Sequence, residues 1–391
     1  MSEADFKYII DTFFTLFAMV LIILMVPGFA MLEAGLVRTK NVSSVLTVNT
    51  MIYAVASMAF LLVGYSLAFG SWDNSSMSIW AAFMFQMAFV GKTVNIMSGG
   101  VSERVKIIPL MIFTVAMAAV IYPLVVNISW GADMIKNTFL DIDMYDLAGS
   151  TVIHSTGGWA LLAAILIMGP RKGRYKDGKI KVVPASNIPL VVLGGLLLWI
   201  GWFGFNGGSV GSISSVDNAN TVAKTIMNTN TAGLAGAIIA AIIMYARYKL
   251  LDITMILNGA LGGLVAITAG PDLYDIYTPI LIGAIGGALV IFAVPVFDKF
   301  KLDDPVGALS VHLVNGIWGT LAVGIFVEKI SILAQLKGIV VIGVFAFTSS
   351  FIVIYIINKI VKFRAEDDIQ VEGLDVNEVG VEAYPEFKRA I

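Results

Sequence analysis

The sequence predicts an all-α polytopic membrane protein with eleven transmembrane helices, built as two inverted five-helix repeats plus an eleventh helix. Three observations indicate this fold class. First, the 391 residues are 58% hydrophobic and only 13% charged, whereas soluble chains average about 25% charged residues. Second, long uncharged runs recur along the chain, and basic residues gather in alternate connections between them. Third, a pattern around the two histidines occurs twice.

The apolar runs give the number of helices. A helix needs about 17–25 mostly apolar residues to cross the hydrocarbon core. On this rule the chain has eleven spans, at about 8–35, 43–69, 78–98, 105–130, 147–168, 186–208, 222–245, 253–270, 277–297, 305–327 and 332–361. The first run is too long for a signal peptide and no small-residue cleavage site follows it, so we expect it to remain as a span.

These spans define the predicted domains. We assign residues 1–364 to one transmembrane domain, with repeats at about 8–168 and 186–327 and the extra helix at about 332–361. Residues 365–391 are polar and acidic and form a tail that cannot span.

The distribution of basic residues predicts the orientation in the cell membrane. One set of connections holds fourteen: Arg38, Lys40, Arg104, Lys106, Arg171, Lys172, Arg174, Lys176, Lys179, Lys181, Arg247, Lys249, Lys299 and Lys301. The other set contributes Lys136, Lys224 and Lys329, together with Asp73, Asp133, Asp141, Asp143, Asp217, Asp272 and Asp275. Because cytoplasmic loops carry the excess of Lys and Arg, the N-terminus is predicted outside and the tail in the cytoplasm.

Composition and motifs argue against several other classes. The net charge of −2 gives no reason to expect a nucleic-acid partner. The chain has no cysteine, which excludes disulfides and thiolate metal sites. It contains no phosphate-binding glycine loop with lysine, no HExxH and no nucleophile elbow, so we expect neither enzymatic chemistry nor a cofactor or metal. The basic loop "PRKGRYKDGKIKVVP" is explained by the orientation, and contact with anionic lipid or a protein is an additional option.

The repeat concerns the only two histidines. "DLAGSTVIHSTGGW" and "DPVGALSVHLVNGIW" each place a histidine eight positions after an aspartate and four before a glycine. The two copies begin on opposite faces, which is the pattern of inverted-repeat transporters. Eight residues at 1.5 Å each put either histidine about 12 Å below its own face. We therefore expect His154 and His312 to face each other near the midplane, where ionisable groups are costly and usually functional.

The aspartates of the repeat have a structural explanation. Asp146 and Asp304 each precede a predicted helix, and Pro305 takes the first-turn position after Asp304. We predict that both cap the helices that follow. On spacing alone, a functional role for Asp146 is the second interpretation.

A third motif, "GWFGFNGGS" from Gly201 to Ser209, ends the sixth span at the predicted outer face. Its aromatic residues could anchor the helix in the interface, as aromatic belts do. Alternatively, ring faces attract cations and a hydroxyl can accept from N–H, which would suit a cation site.

With these motifs the sequence resembles the ammonium transporters of the Amt/Mep/Rh group. The similar segments are "PGFAMLEAGLVRTKN", "FQMAF", "DLAGSTVIH", "GWFGFNGGS" and "DDPVGALSVH", spread over nearly the whole chain. The resemblance implies a homotrimer of eleven-helix subunits, each with a narrow apolar pore, and a PII-type nitrogen regulatory protein as a possible partner at the cytoplasmic face. It also implies ammonium or ammonia as the substrate.

The resemblance assigns roles to individual residues. Phe89 and Phe205 would be stacked rings closing the outer end of the pore. Trp130 and Ser209 would recruit the cation, by cation–π contact and by accepting a hydrogen bond. Asp146 would stabilise the cation electrostatically without touching it, and His154 and His312 would be the paired imidazoles of the pore.

The sequence departs from the family pattern at a few positions. Gly207 stands where many bacterial members have alanine. In the tail, "GLDVNEVGVEAY" has Val379 and Val381 where the family has histidine and glutamate. We expect the tail to pack beneath the subunits, with altered regulatory coupling.

The motifs together suggest a mechanism and leave alternatives open. Ammonium would be captured outside and deprotonated near the phenylalanines, ammonia would cross the pore, and the histidines would relay the proton. One alternative is an ammonium sensor of the same fold, although we expect a tail of roughly 27 residues to be too short for a signalling domain. Another is a bis-histidine haem protein that carries electrons.

Overall fold

The computed structural model describes residues 2–131, 138 and 141–387 and is almost entirely helical. Asp133 and Lys136, counted in the charge pattern, and tail residues 388–391 lie outside the described residues. Within the described part, eleven helices match the predicted spans: α1 (Glu3–Leu36), α2 (Thr39–Phe69), α3 (Ile79–Val101), α4 (Ile107–Ser129), α5 (Ser150–Met168), α6 (Ile188–Gly208), α7 (Val216–Tyr248), α8 (Ile253–Ile267), α9 (Thr278–Lys299), α10 (Leu309–Phe326) and α11 (Ile332–Ile360). All except the shorter α8 are long and apolar enough to cross a membrane.

Two helices begin later than their apolar runs. We predicted starts near 147 and 305, but α5 begins at Ser150 and α10 at Leu309. The residues before them form tight turns in which Gly149 and Gly307 have φ values of +105° and +81°. Glycine adopts this conformation readily because it has no Cβ. A capped turn and a helical turn of the same apolar residues have the same hydropathy, so composition alone does not separate them.

The helix α7 is longer than predicted. It has 33 residues, Val216–Tyr248, instead of about 222–245. At 1.5 Å per residue it is roughly 50 Å long, well beyond a hydrocarbon core of about 30 Å. The side chain of Ser215 caps its start by accepting from the N–H of Asn218. Because its first turn is polar, a hydropathy criterion leaves that turn out.

The helix α1 is interrupted in the middle. Its two segments, Glu3–Ile23 and Met25–Leu36, meet at Leu24. Pro27 lies three positions later, and proline has no N–H to continue the helical hydrogen bonds. The second segment carries Phe29 and Glu33 into the centre of the molecule.

The packing repeats in the two halves of the bundle. The first helices of the halves, α1 and α6, pack on each other. In each half the third helix packs on the fifth, α3 on α5 and α8 on α10, and α5 crosses α10. About three quarters of the apolar stretches of α3 and α5 are buried, against a third for α7, α9 and α11. Phe89 and His154 therefore lie on the most deeply buried helices, and apolar side chains on the outside suit contact with lipid.

The tail packs against the same face as the basic loops. A short helix, α12 (Asp367–Glu372), is followed by a π-helical turn at Asp375–Val379. The carboxylate of Asp375 accepts from the N–H of Ser44, and that of Glu378 accepts from the N–H of Ile107. We call this side of the molecule the tail face and the opposite side the N-terminal face.

Candidate functional site

His154 and His312 meet inside the bundle. Their Nδ1 atoms lie 3.1 Å apart, and their rings are nearly parallel at 17° with centroids 5.2 Å apart. The side chains are only 3% and 6% exposed. One nitrogen of this contact donates and the other accepts. The predicted meeting of the two imidazoles is therefore what the structure shows.

The aspartates of the repeat hold the helix starts that carry the histidines. The carboxylate of Asp146 accepts from four backbone N–H groups, those of Gly149, Ser150, Thr151 and Val152, at 2.8–3.0 Å. The carboxylate of Asp304 accepts from the N–H groups of Val306, Gly307 and Leu309. Both carboxylates thus hold backbone N–H groups at the helix starts, as predicted, but neither aspartate is the N-cap residue: that position is Gly149 in one copy and Ala308 in the other. The prediction that Pro305 lies in the first helical turn is wrong, because α10 begins at Leu309.

The sequence reasoning missed a second shared feature. Both histidine helices open with a π-helical turn, at Ser150–Ser155 and at Leu309–Val314. Such turns are rare and are frequent at functional sites. The sequence carries a related signal, since the repeat also includes a glycine three positions after each aspartate. In the structure both glycines, Gly149 and Gly307, have positive φ.

Glycines allow the two helices to cross closely. A Cβ added at Gly158 would lie 2.7 Å from the Cβ of Leu313. At Gly316 it would lie 2.3 Å from the carbonyl oxygen of Ser150 and 2.4 Å from Oγ of Ser155. Small residues let helix backbones approach in membranes. The matched glycines thus bring the two histidines within hydrogen-bonding distance.

Aromatic rings cover the histidine pair toward the N-terminal face. The rings of Phe89 and Phe205 lie 4.6 Å apart at 85°, so they meet edge to face and not face to face as the resemblance implied. This arrangement is favourable because the positive edge of one ring meets the negative face of the other. Phe205 also lies 5.5 Å from His154, whose ring stacks on Trp202 at 5.1 Å.

Beyond these rings lies a cavity of about 500 Å³, the Trp130 cavity, which Trp130, Ser209 and Phe89 line together with Asp73 and Gln86. Nε1 of the tryptophan donates to the carbonyl of Asp146, which fixes the ring. The serine hydroxyl donates to the carbonyl of Phe205 and keeps its lone pairs for an incoming donor. The cavity therefore presents an aromatic ring face and a hydroxyl oxygen with free lone pairs.

Two further cavities lie on the tail side of the histidines. The His312 cavity is a small space of about 20 Å³ lined by His312, Glu33, Asn95 and Asn258 among apolar residues. The Arg171 cavity is larger, about 480 Å³, and opens among the basic loops. Both are lined by Asn258 and Val306. Two wide cavities of similar size therefore flank a narrow section that contains the histidines.

The geometry of the pair bears on haem binding. A metal between two imidazole nitrogens needs them about 4 Å apart, since each metal–nitrogen bond is about 2 Å. The Nδ1 atoms of His154 and His312 are 3.1 Å apart. Two rings this close leave no space for a porphyrin between them.

Comparisons with known proteins agree with this geometry. The profile of the Ammonium Transporter Family matches residues 13–384. This chain belongs to the ammonium transporter family. The chain is 33% identical to ammonium transporter Amt2 of Archaeoglobus fulgidus, over 97% of this chain and 89% of that protein. It is also 33% identical to ammonium transporter Amt1 of Methanocaldococcus jannaschii, over 96% and 97%.

Solved structures show the same fold. A structure titled "Sensor Amt Protein" superposes with a TM-score of 0.90 at 31% identity, covering 96% of this chain and 99% of that one. The crystal structure of Saccharomyces cerevisiae Mep2 superposes with a TM-score of 0.83 at 27% identity, over 93% and 89%. Our chain is thus a multi-pass membrane protein with the fold of the ammonium transporters.

On the tail face, this ammonium transporter has an ion-pair cluster whose basic residues the sequence analysis explained by the orientation. Glu103, fully buried, pairs with Arg38 at 3.0 Å and with Arg171 at 2.7 Å. Arg171 also pairs with Asp303 at 2.8 Å. Burial raises the pKa of Glu103, but Arg171 and Arg38 outweigh it and lower the pKa to about 2. The charges therefore also tie together the ends of α1, α3, α5 and α9 beside the Arg171 cavity.

Proposed function

We propose that this protein takes up ammonium from the N-terminal face, which lies outside the cell, and delivers ammonia and a proton to the cytoplasm at the tail face. The charge pattern of the loops supports this orientation, because the basic cluster and the tail share one face. Ammonium transport itself follows from the family. The steps below assign it to residues.

Capture takes place in the Trp130 cavity. The ring of Trp130 attracts a cation through its negative face. The oxygen of Ser209 accepts a hydrogen bond from ammonium, which potassium cannot donate. Asp146 does not line the cavity, and backbone N–H groups occupy its carboxylate. Its negative charge acts through space and favours the cation without contact.

Passage beyond Phe89 and Phe205 requires loss of charge. An intact ion that enters an apolar passage loses its water, which costs far more than moving a neutral molecule of the same size. Ammonium therefore gives up its proton at the rings, and ammonia continues. The buried Nε2 of His154, which has no hydrogen-bond partner among the described residues, is suited to accept this proton, and its ring lies 5.5 Å from that of Phe205.

The proton then follows the histidines. An imidazole can accept on one nitrogen and donate on the other. A proton that arrives at His154 displaces the one shared at the Nδ1–Nδ1 contact onto His312, which releases its own toward the tail face. This contact of 3.1 Å, between two wide cavities, is the observation that carries the proposal.

The test is current recording from proteoliposomes under ammonium and potassium gradients, with wild type beside His154→Ala. We expect an ammonium-evoked current in wild type, none with potassium, and loss of the current in the variant. The elution volume of the purified variant in size-exclusion chromatography and its thermal stability serve as the folding control. An unchanged current in folded His154→Ala contradicts the relay.

Partners are part of the same proposal. The family resemblance supports a homotrimer in the lipid bilayer and a PII-type regulatory protein at the tail face, near the Arg171 cavity. A second candidate function, ammonium sensing, is favoured by the similarity to the structure titled "Sensor Amt Protein". Transport at a high turnover separates the two, because a dedicated sensor would bind ammonium and pass little of it.

A further inference from the structure

Glu33 is a buried carboxylate that the mechanism above does not use. It lies in the second segment of α1 and is 1% exposed. Among the described residues no basic side chain forms an ion pair with it. An ionisable group within a membrane span is expensive and is typical of ion and proton paths.

Polar neighbours from α2 and α3 hold this carboxylate in place. Ser98 donates to Oε1 at 2.8 Å, and Asn49 donates to Oε2 at 3.0 Å. The amide of Asn95 supports Asn49 at 2.6 Å. The amide N–H of Asn49 can only donate, whereas the single hydroxyl hydrogen of Ser98 lies between Glu33 and the carbonyl oxygen of Asn95, also at 2.8 Å. Each oxygen of Glu33 keeps a lone pair for a proton.

The carboxylate and the histidine pair border the same space. Glu33 and His312 both line the His312 cavity of about 20 Å³. A space of this size holds about one water, provided that it has two to four polar partners. Glu33, His312, Asn95 and Asn258 supply them. One water, or one ammonia of similar size, could therefore bridge the imidazole and the carboxylate.

We propose that Glu33 is the proton acceptor at the inner end of the relay. Nδ1 of His312 is engaged with His154, so the nitrogen left to release a proton is Nε2. The proton passes through the bridging water to the carboxylate, which becomes neutral. The neutral acid then gives it up to water in the Arg171 cavity, which shares Asn258 and Val306 with the smaller cavity. Ammonia leaves by the same opening.

The variant that tests this is Glu33→Gln. Glutamine has nearly the size of glutamate and can form hydrogen bonds with Asn49 and Ser98. Its amide cannot take up and release a proton as the carboxylate does. Two measurements in proteoliposomes are compared: the ammonium-evoked current, and ammonia permeation followed by a pH-sensitive dye inside the vesicles. We expect the current to fall at least tenfold and ammonia permeation to stay within twofold of wild type.

Matched controls separate this role from a structural one. Ser98→Ala removes a hydrogen bond to Glu33 but leaves the carboxylate, so we expect its current to be retained. Glu33→Asp should restore part of the current. If Glu33→Gln and Ser98→Ala lose current and thermal stability to the same extent, the carboxylate is structural and the proposal fails.

The role of Glu33 rests on the proposed histidine relay. The experiments distinguish a failure of the Glu33 proposal from a failure of the relay. A current that His154→Ala abolishes and Glu33→Gln leaves intact rejects Glu33 alone. A wild-type protein that conducts ammonia without any current rejects the relay and, with it, the acceptor.

Discussion

Replacing Glu103 by glutamine tests the ion-pair cluster at the tail face. The substitution removes one negative charge between Arg38 and Arg171 and preserves the shape of the side chain. Because Glu103 joins the ends of α1, α3 and α5, we expect the whole bundle to lose stability.

The size of the loss follows from the pKa of the carboxyl group. The pKa falls from 4.5 to about 2 on folding, and each unit corresponds to about 1.4 kcal/mol. The ionised group therefore contributes about 3 kcal/mol at neutral pH. Since the folded pKa is the lower one, this contribution is complete above pH 4.5 and is lost as the pH falls through about 2. At pH 3 about 1 kcal/mol remains.

The assay is denaturation of the purified protein in mixed micelles by increasing sodium dodecyl sulfate, followed by the fluorescence of its seven tryptophans. Glu103→Gln should be less stable than wild type by about 3 kcal/mol at pH 7 and about 1 kcal/mol at pH 3. Glu3→Gln, which breaks an exposed pair with Lys7, should leave the curve unchanged. The argument is refuted if Glu103→Gln is as stable as wild type at pH 7, or if it is less stable by the same amount at both pH values.

Three further predictions concern the pathway. Ser209→Ala removes a hydrogen-bond acceptor worth about 1 kcal/mol. The ammonium concentration for half-maximal current should therefore rise roughly fivefold. An unchanged value would show that Ser209 does not belong to the capture site. Phe205→Ala removes the ring between the Trp130 cavity and His154, so osmotic water permeability should increase in stopped-flow light scattering; equal rates for wild type and variant would show that another group closes the pore. Gly316→Ala places a Cβ 2.3 Å from a backbone oxygen and should lower the melting temperature, whereas Gly91→Ala, whose Cβ meets only Tyr53 at 3.9 Å, should not. Equal melting temperatures for the two alanine variants would mean that the helix crossing adapts.

The sequence was sufficient for the spans and for the meeting of the histidines. Hydropathy reflects the transfer free energy that places a helix in the bilayer, so the eleven spans could be predicted from the apolar runs. The matched spacing in the two copies indicated that His154 and His312 occupy equivalent positions. The depth of about 12 Å assumed eight helical residues, whereas the helices begin only at Ser150 and Leu309, so that estimate does not hold. The capping aspartates were readable because the preference for aspartate before a helix is local.

Other features depend on contacts between distant segments, and no local pattern reveals them. The edge-to-face meeting of Phe89 and Phe205 is set by the crossing of α3 and α6. The role of Arg171 became visible only when Glu103 and Asp303 were found beside it, since its charge alone fits the orientation rule. Glu33 lay within a recognised motif, but its position next to the histidine pair required the folded chain.

The contact between the two Nδ1 atoms couples the tautomers of the rings. In the neutral pair only one of the facing nitrogens holds a hydrogen, so if His154 carries it on Nδ1, His312 must carry its own on Nε2. Under the proposed relay, each proton that crosses inverts this arrangement and leaves the pair oriented for travel in the opposite direction. A return step, by ring rotation or back-transfer, must precede the next proton, whereas ammonia needs no such reset. The two species that enter together as ammonium can therefore have different maximal rates.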